Sequence, residues 1–299
     1  MEKVLKNSNR FLIALTVWVF LMFISFSFWK SSEKKIEKLD ITKIISFSDI
    51  NFAWEKTPFD DSHYFNKEKL IRELNITRYN TYQTILYHKR EQLYFPIIEK
   101  KLKDAWVPDD FKYLAVAESA LKNDALSDAN AWGIWQFIPE TGKRFWLKID
   151  DKIDERYNFE KETDAAVAYF LKLYRDFWDW TLVAAAYNRW ENGIQRALTD
   201  QKVKSYYDLY LNDETSRYVF RIIAIKYIML NRYKIYDKTE LWDQFEQPNT
   251  SEISVNKIDN LKDWASKNWY TYMSIKLLNQ WIIWDWLPDW NWKLKVMKK

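Results

Sequence analysis

The sequence predicts a mainly α-helical protein, and three observations support this prediction. Apolar residues recur at helical spacing through most of residues 66–236, and no long run in this part of the chain alternates as a strand does. Helix-starting residues, such as Asp179, stand before several of these patterns. The hydrophobic fraction of 48% is sufficient for a packed interior. At 299 residues the chain has room for one sizeable core or two modest domains.

The first 50 residues have a composition of their own. Residues 1–10 are basic, and residues 11–29 form an uncharged apolar run that is long enough to span a bilayer. A cleaved signal peptide would have a shorter run that ends in a small-residue cleavage site. We therefore expect an uncleaved transmembrane anchor, followed by a linker at residues 30–50 that is rich in Ser, Lys and Glu. Lysines on both sides of the run leave its orientation open.

Residues 51–105 are predicted to form the helical N-terminal part of the main domain. Helical patterning covers residues 66–104, and Pro96 is expected to break or restart the second helix because proline lacks a backbone N–H. His88 lies among charged residues and is interpreted as a surface helix residue.

The central helix carries a glutamate where an apolar residue is expected. Asp109 and Asp110 favour the start of this helix, and Phe111, Leu114 and Glu118 then fall on one face together with Ala115. A carboxylate in apolar surroundings holds its proton to higher pH, which suits a general acid. Spacing alone leaves open a second interpretation, in which Glu118 lies at the rim of the apolar stripe and reaches water.

Later helices are predicted from similar signals. A helix is predicted to open at Pro139 and end near Phe145, and residues 150–158 read as a polar loop. Thr163 is expected to cap a long amphipathic helix and Asp179 the next one, and two more helical patterns occupy residues 205–236.

Four motifs in this region resemble those of a known family. The motifs are Ala117-Glu118-Ser119, Ser127, Gly133-Ile134-Trp135-Gln136-Phe137-Ile138-Pro139 with Thr141, and Ala186-Tyr187-Asn188. Their order and spacing are similar to those of lytic transglycosylases with the goose-type lysozyme-like fold, and most similar to the membrane-bound murein transglycosylase D branch. The resemblance implies a lysozyme-like catalytic domain over residues 106–240. It extends less sharply upstream, and downstream to Asp213–Val219. Ala120-Leu121 departs from the family, where Gly-aromatic is common, and so does Trp132, at a usually small or variable site.

The resemblance also implies a reaction. Lytic transglycosylases cleave the β-1,4 bond between N-acetylmuramic acid and N-acetylglucosamine in peptidoglycan and form a 1,6-anhydro product without water. Glu118 is then the single catalytic acid and base, Ser119 supports it, Gln136 binds the glycan, and Tyr187 and Asn188 lie opposite in the cleft. Three of these residues have structural interpretations that stay open: Tyr187 as a core aromatic, Asn188 as a helix-end cap and Gln136 as a buried hydrogen-bonding residue.

Other function classes are less consistent with the sequence. A lysozyme-like hydrolase needs a second acid, and Asp124 and Asp128 are candidates; an inactive anchored peptidoglycan-binding protein is a further alternative. The net charge of +4 is scattered, which argues against nucleic acid binding. The absence of cysteine and the presence of only 2 histidines predict neither a metal site nor a cofactor. Because peptidoglycan lies outside the cytoplasm, we expect the body to be extracytoplasmic.

Residues 250–299 are Trp-rich and fit the order strand, helix, helix, strand. That order is similar to a LysM peptidoglycan-binding module. An extension that only packs on the main domain is the alternative.

Tryptophan and glycine counts form a further clue. The chain has 3 Gly and 18 Trp, where average usage predicts roughly 21 Gly. Trp146, Trp178 and Trp190 each come directly after a predicted helix, at the position that favours glycine. The related family typically has glycine there, and we expect the same of Trp54, Trp106, Trp269 and Trp290. We hypothesise that many of these tryptophans come from UGA codons that the organism reads as glycine, and that Trp135 and Trp180 are genuine. A Trp-rich protein with sugar-stacking aromatics is the alternative.

Overall fold

The computed structural model describes residues 46–241 and 244–298. The predicted anchor at residues 11–29 and most of the linker lie outside the described residues. Within the described part of the chain, no helix combines the length and apolarity that a membrane crossing requires. After a 3-10 turn at Phe47–Asp49, the described chain forms a short hairpin of β1 (Asn51–Phe52) and β2 (Glu55–Lys56), joined by a tight turn.

Helices make up most of the chain between this hairpin and Leu241, as predicted. In chain order they are α1 (Tyr64–Tyr79), α2 (Thr81–Asp104), α3 (Lys112–Ser119), α4 (Pro139–Arg144), α5 (Phe159–Phe177), α6 (Trp180–Arg189), α7 (Glu191–Gln201), α8 (Asp213–Leu230), α9 (Arg232–Ile235) and α10 (Lys238–Leu241). Short 3-10 turns precede several of them, including Asp109–Phe111 before α3.

The core forms where α8 packs against α1, α3 and α6, and where α5 packs against α6. Side chains with no exposed surface fill this core, among them Phe111, Leu114, Trp135, Phe170 and Ile222. Burial of such large apolar side chains stabilises the domain by about 2 kcal/mol for each residue. The apolar face predicted for the central helix therefore meets the middle of the domain, and Glu118 lies at its end.

The prediction at Pro96 was wrong, because α2 continues through this residue as one helix. Proline cannot donate to the carbonyl four residues earlier, which is that of Gln92. The side-chain amide of Gln247 donates to this carbonyl at 3.3 Å and also contacts the carbonyl of Leu93. A residue from a distant part of the chain thus satisfies the acceptor that proline leaves open.

Two further local predictions were wrong. The helix α5 begins at Phe159, and its cap is Asn158, whose side chain accepts the N–H of Lys161; Thr163 lies inside the helix. His88 is buried, with 2% of its side chain exposed, and its Nδ1 lies 2.8 Å from Glu91. Tertiary packing of α2 buries a ring that the neighbouring charges suggested was at the surface.

The polar segment at residues 150–158 is a connection, as predicted, but it also contains buried charges. Asp154 and Arg156 are 5% and 3% exposed, and their side chains form an ion pair at 2.6 Å. The Arg156 guanidinium also donates to the carbonyls of Asn130 and Phe137, at 2.7 and 3.0 Å. This segment therefore fixes a neighbouring loop.

The C-terminal part has the predicted order of strand, two helices and strand. These elements are β3 (Thr250–Val255), α11 (Leu261–Lys267), α12 (Tyr272–Leu278) and β4 (Trp292–Met297). The two strands pair antiparallel, from Thr250 with Met297 to Val255 with Trp292. The apolar core of this module includes Ile153 of the main domain, and the Asp154 N–H donates to the Trp281 carbonyl at 2.9 Å. The module thus packs against the main domain.

Candidate active site

A cleft of about 390 Å³ lies beside the end of α3. The residues that line it come from α3, the loop before α4, and helices α4, α5, α6 and α8. They include Glu118, Ser127, Gln136, Phe137, Thr141, Tyr169, Tyr187, Asn188, Glu214, Tyr218 and Arg221. Three of the four predicted motifs contribute at least their central residues, Glu118, Gln136 and Tyr187, to the cleft. The fourth motif is the single residue Ser127, which also lines it. The structure therefore brings together residues that are far apart in the sequence.

Glu118 lies in the last turn of α3, partly exposed to the cleft. The Tyr218 hydroxyl donates to its Oε1, and Tyr218 itself is 1% exposed. Burial raises the pKa of Glu118 from 4.5 to about 7, against the opposing effects of the Tyr218 hydrogen bond and the Arg221 charge. A carboxyl group with this pKa can both donate and accept a proton near neutral pH.

Gln136 lies in the loop that leads into α4, with a φ of +53°, which is uncommon for a residue other than glycine. Its side-chain nitrogen donates to the carbonyls of Gly133 at 2.9 Å and Ala125 at 3.2 Å. Gln136 thus has the internal hydrogen bonds of a buried polar residue and also lines the cleft.

Tyr187 and Asn188 lie in the last turn of α6, and both line the cleft together with Glu118. The Tyr187 hydroxyl donates to the Trp135 carbonyl at 2.6 Å, and burial raises the pKa of this hydroxyl well above its ordinary value. Asn188 accepts a hydrogen bond from the Thr215 hydroxyl at 3.1 Å. Asn188 therefore joins α6 to α8 and does not serve as a helix-end cap.

Ser119 does not line the cleft. Its side chain is buried and its hydroxyl donates to the Ala115 carbonyl within the same helix, at 3.2 Å. Successive helix residues point about 100° apart, so the residue after Glu118 faces a different direction. The next residues, Ala120 and Leu121, both have positive φ, of 57° and 56°. Ala120 therefore replaces the glycine that is common in the family at a position where the backbone conformation favours glycine.

Sequence reasoning did not single out three polar residues of the cleft. Tyr218, Arg221 and Glu214 all lie on α8, about a hundred residues after Glu118, and only a place in the downstream motif pointed to Tyr218 and Glu214. Arg221 also lies 3.6 Å from Glu73, a buried carboxylate that accepts from Arg217 at 2.8 Å. Helix α1, which carries Glu73, thereby helps to fix the position of Arg221.

The second acids proposed for a hydrolase, Asp124 and Asp128, are not among the residues that line the cleft. Asp124 lies 3.6 Å from Lys122, and both side chains are exposed. Glu214, by contrast, lines the cleft and acts to raise the pKa of Glu118.

The family model of the transglycosylase SLT domain matches residues 95–209 of this chain. The matched range holds Glu118, Gln136, Tyr187 and Asn188, whereas Tyr218 and Arg221 lie beyond its end.

Individual proteins show the same relationship. The chain is 34% identical over 147 residues to membrane-bound lytic murein transglycosylase D of Escherichia coli K12. The aligned residues cover 48% of this chain and 32% of that protein. It is 28% identical over 128 residues to a putative tributyltin chloride resistance protein of Alteromonas sp. (strain M-1), and the aligned residues cover 42% of this chain and 62% of that protein. The chain thus spans about a third of the length of the Escherichia coli relative. Among solved structures, the 70 kDa soluble lytic transglycosylase of Escherichia coli matches 60% of this chain and 33% of its own, at 17% identity and a TM-score of 0.41.

Proposed function

We propose that this protein is a peptidoglycan lytic transglycosylase that cleaves the bond between N-acetylmuramic acid and N-acetylglucosamine. The observation that carries the proposal is the Glu118 carboxyl group in the cleft, with a pKa of about 7 and a hydrogen bond from Tyr218. The SLT domain and the similarity to a murein transglycosylase support the same reaction.

In the proposed mechanism Glu118 performs two proton transfers. It first protonates the bridging oxygen as the bond from this oxygen to the anomeric carbon breaks, which leaves Glu118 as a carboxylate. The carboxylate then takes the proton of the muramic C6 hydroxyl as that oxygen bonds to the anomeric carbon. The product is a 1,6-anhydro sugar, water is not consumed, and Glu118 regains its proton. Tyr218 stabilises the carboxylate between the two steps by donating to it.

Gln136, Tyr187 and Asn188 form the proposed glycan-binding wall. The hydrogen bonds described for Gln136 use its amide nitrogen, so its amide oxygen is the group that sugar hydroxyls and N-acetyl N–H groups can donate to. The Tyr187 ring packs on that of Tyr169, and both residues line the same cleft. Ser119 acts on Glu118 only through the helix backbone, because its hydroxyl faces away from the cleft.

The test is digestion of purified peptidoglycan by the full chain in detergent, beside Glu118→Gln, with mass spectrometry of the fragments. Anhydro-muramic ends that vanish in Glu118→Gln support the proposal. An absence of cleavage together with retained binding to peptidoglycan would instead favour an inactive binding protein.

A hydrolase is the second candidate, because a second carboxylate, Glu214, also lines the cleft. A hydrolase would use this group to activate water and would release reducing ends. Glu214→Gln separates the two reactions: a transglycosylase retains anhydro products in this variant, whereas a hydrolase loses most of its activity.

We propose that residues 11–29 anchor the protein in the membrane with the catalytic body in the cell envelope, where peptidoglycan lies. The similarity to a membrane-bound relative and the apolar composition of this segment support this location.

We also propose that the C-terminal module binds glycan as LysM modules do. Its order of strand, helix, helix and strand supports this proposal. Fractionation of cells, and pull-down of the protein with insoluble peptidoglycan, test the two proposals.

We infer, finally, that part of the tryptophans are glycines in the natural protein. Among the residues that the structure describes, six tryptophans have positive φ, namely Trp54, Trp106, Trp146, Trp178, Trp190 and Trp269. All six are more than half exposed, whereas Trp135, Trp180, Trp281 and Trp292 are buried, at 6% exposure or less. Trp290 is 66% exposed, but it is not among the described residues with positive φ, so its backbone does not support the same inference.

Hydrogen bonds at the helix ends support this inference independently. The N–H of Leu147, the residue after Trp146, donates to the carbonyl of Gly142 at 3.0 Å, and the N–H of Trp146 donates to that of Lys143 at 3.1 Å. Trp106 and Trp269 end their helices with the same pair of bonds. This Schellman pattern places a left-handed residue at the tryptophan position, which favours glycine. Peptide masses of the native protein decide the matter, because tryptophan at position 146 or 178 would refute the inference.

A further inference from the structure

Glu162 is a buried carboxylate that the proposed reaction does not use. It lies in the first turn of α5 and has no exposed surface. Its Oε1 accepts the backbone N–H of Trp135 at 2.8 Å, and its Oε2 accepts that of Ile134 at 3.0 Å. A buried carboxylate is retained at a cost in desolvation, which these two hydrogen bonds offset. The two bonds tie α5 to the loop that carries Gln136.

The loop lies directly on this carboxylate. Gly133 has a φ of +86°, and a Cβ at this position would be 2.4 Å from Oε1 of Glu162 and 2.2 Å from the carbonyl oxygen of Arg156. The next residue in α5, Thr163, accepts the indole N–H of Trp135 at 3.1 Å. The backbone and the ring of Trp135 are therefore held by two consecutive residues of one helix.

The other side of the same loop faces the cleft. The Trp135 carbonyl accepts the hydroxyl of Tyr187 at 2.6 Å, and the next residue, Gln136, has a positive φ and a side chain folded onto Gly133. A shift of this peptide segment would move the cleft residue Gln136 and remove the hydrogen bond that braces Tyr187. Glu162 itself does not line the cleft and can act only through these residues.

We propose that Glu162 is a positioning residue, which holds residues 133–137 so that Gln136 and Tyr187 meet the glycan in a fixed arrangement. Its effect on catalysis rests on the proposed function, because the wall that it positions is the proposed glycan-binding wall. Displacement of a binding group by about 1 Å costs about 100-fold in rate. We expect a loss of this size when glutamine replaces Glu162, because its NH2 group then faces one of the two backbone N–H groups in place of an acceptor oxygen.

The experiment compares Glu162→Gln with Glu160→Gln in the full chain. Both residues lie in the first turn of α5, but Glu160 is a surface residue, 41% exposed, that pairs with Lys295. We expect Glu162→Gln to lower the rate of fragment release from peptidoglycan about 100-fold, and Glu160→Gln to leave it within about twofold. A double-mutant cycle with Gln136→Ala separates positioning from general destabilisation. If Glu162 acts through the loop, its substitution lowers the rate by a smaller factor in the Gln136→Ala background than in the wild type, and the remaining loss passes through Tyr187.

Additive losses in that cycle, or wild-type rates for Glu162→Gln, overturn the proposal. Amide hydrogen exchange supplies a readout that needs no activity, since the amides of Ile134 and Trp135 should exchange faster in Glu162→Gln and stay protected in Glu160→Gln. Unchanged exchange overturns the proposal even if the wild type cleaves nothing. A wild type without cleavage overturns the proposed function, so the two failures are distinguishable.

Discussion

Replacing the six positive-φ tryptophans by glycine is expected to stabilise the protein substantially. Five of them, exemplified by Trp178 with φ 53° and ψ 27°, occupy turns or helix ends with positive φ. The sixth, Trp190, has φ 72° and ψ 138°, a region that residues with a Cβ rarely enter. All six side chains are more than half exposed. Trp190 also lines the cleft, and Trp146 and Trp178 contact the rings of Phe145 and Tyr174.

The expected gain arises from the backbone. An L-residue in the left-handed region costs about 1 kcal/mol relative to glycine, and the region of Trp190 costs about 2 kcal/mol. Because the sites lie in different helix ends and turns, their effects should add to about 7 kcal/mol. That is comparable with the whole stability of a typical domain, about 5–15 kcal/mol. At about 2–4 °C for each kcal/mol, the melting temperature should rise by roughly 20 °C.

Urea and thermal unfolding of the tryptophan form and the six-glycine form measure this difference. Trp290→Gly is the matched control, since Trp290 is also exposed but is not among the positive-φ residues. We expect this control to lose about 0.5–1 kcal/mol, because glycine has more entropy to lose on folding. Equal stability of the two forms, or a gain in the control as large as that per site in the six-glycine form, would refute the reasoning.

Four further predictions concern the cleft and its support. Cleavage should fall as pH rises through about 7, because Glu118 must carry a proton; the pH dependence of fragment release checks this. The raised pKa also means that the wild type loses stability as pH rises from 4.5 through about 7, because Glu118 then ionises in a buried place. Glu118→Gln does not ionise, so its free energy of unfolding relative to the wild type should increase by about 1–2 kcal/mol between about pH 4 and pH 8, after screening in the open cleft. Urea unfolding at both pH values measures this difference. Tyr218→Phe should move the alkaline limb of the activity profile to higher pH and lower the rate about tenfold, because the carboxylate loses its donor; unchanged limbs would contradict this. Glu73→Ala should destabilise the protein by about 2 kcal/mol in urea unfolding, since Arg217 loses its buried partner.

The candidate site was predictable to the extent that its residues belong to short motifs. Glu118, Gln136, Tyr187 and Asn188 line one cleft, as the resemblance implied. Their individual roles stay predictions until the variants are measured. Ser119 also belongs to a motif, but helix geometry directs its hydroxyl to the Ala115 carbonyl and away from the cleft.

Two of the local errors share one cause, which is that a distant part of the chain supplies what a segment lacks. Pro96 does not interrupt α2, since Gln247 donates to the carbonyl that the proline leaves free. His88 is buried, and two residues remote from α2, Gln244 and Tyr233, contact its ring. Neither compensation has a signal within a short window of sequence.

The sequence by itself determined the helical class, the motifs whose residues line the cleft, and most of the predicted places where the backbone favours glycine. Periodicity, helix ends and composition are local properties, and the backbone of a segment responds to them directly. Only the tertiary structure decided that Tyr218 donates to Glu118, that Glu162 holds the loop of Gln136, and that the C-terminal module packs on Ile153. These contacts join segments that are remote along the chain. They depend on how helices pack, and no local pattern specifies that packing.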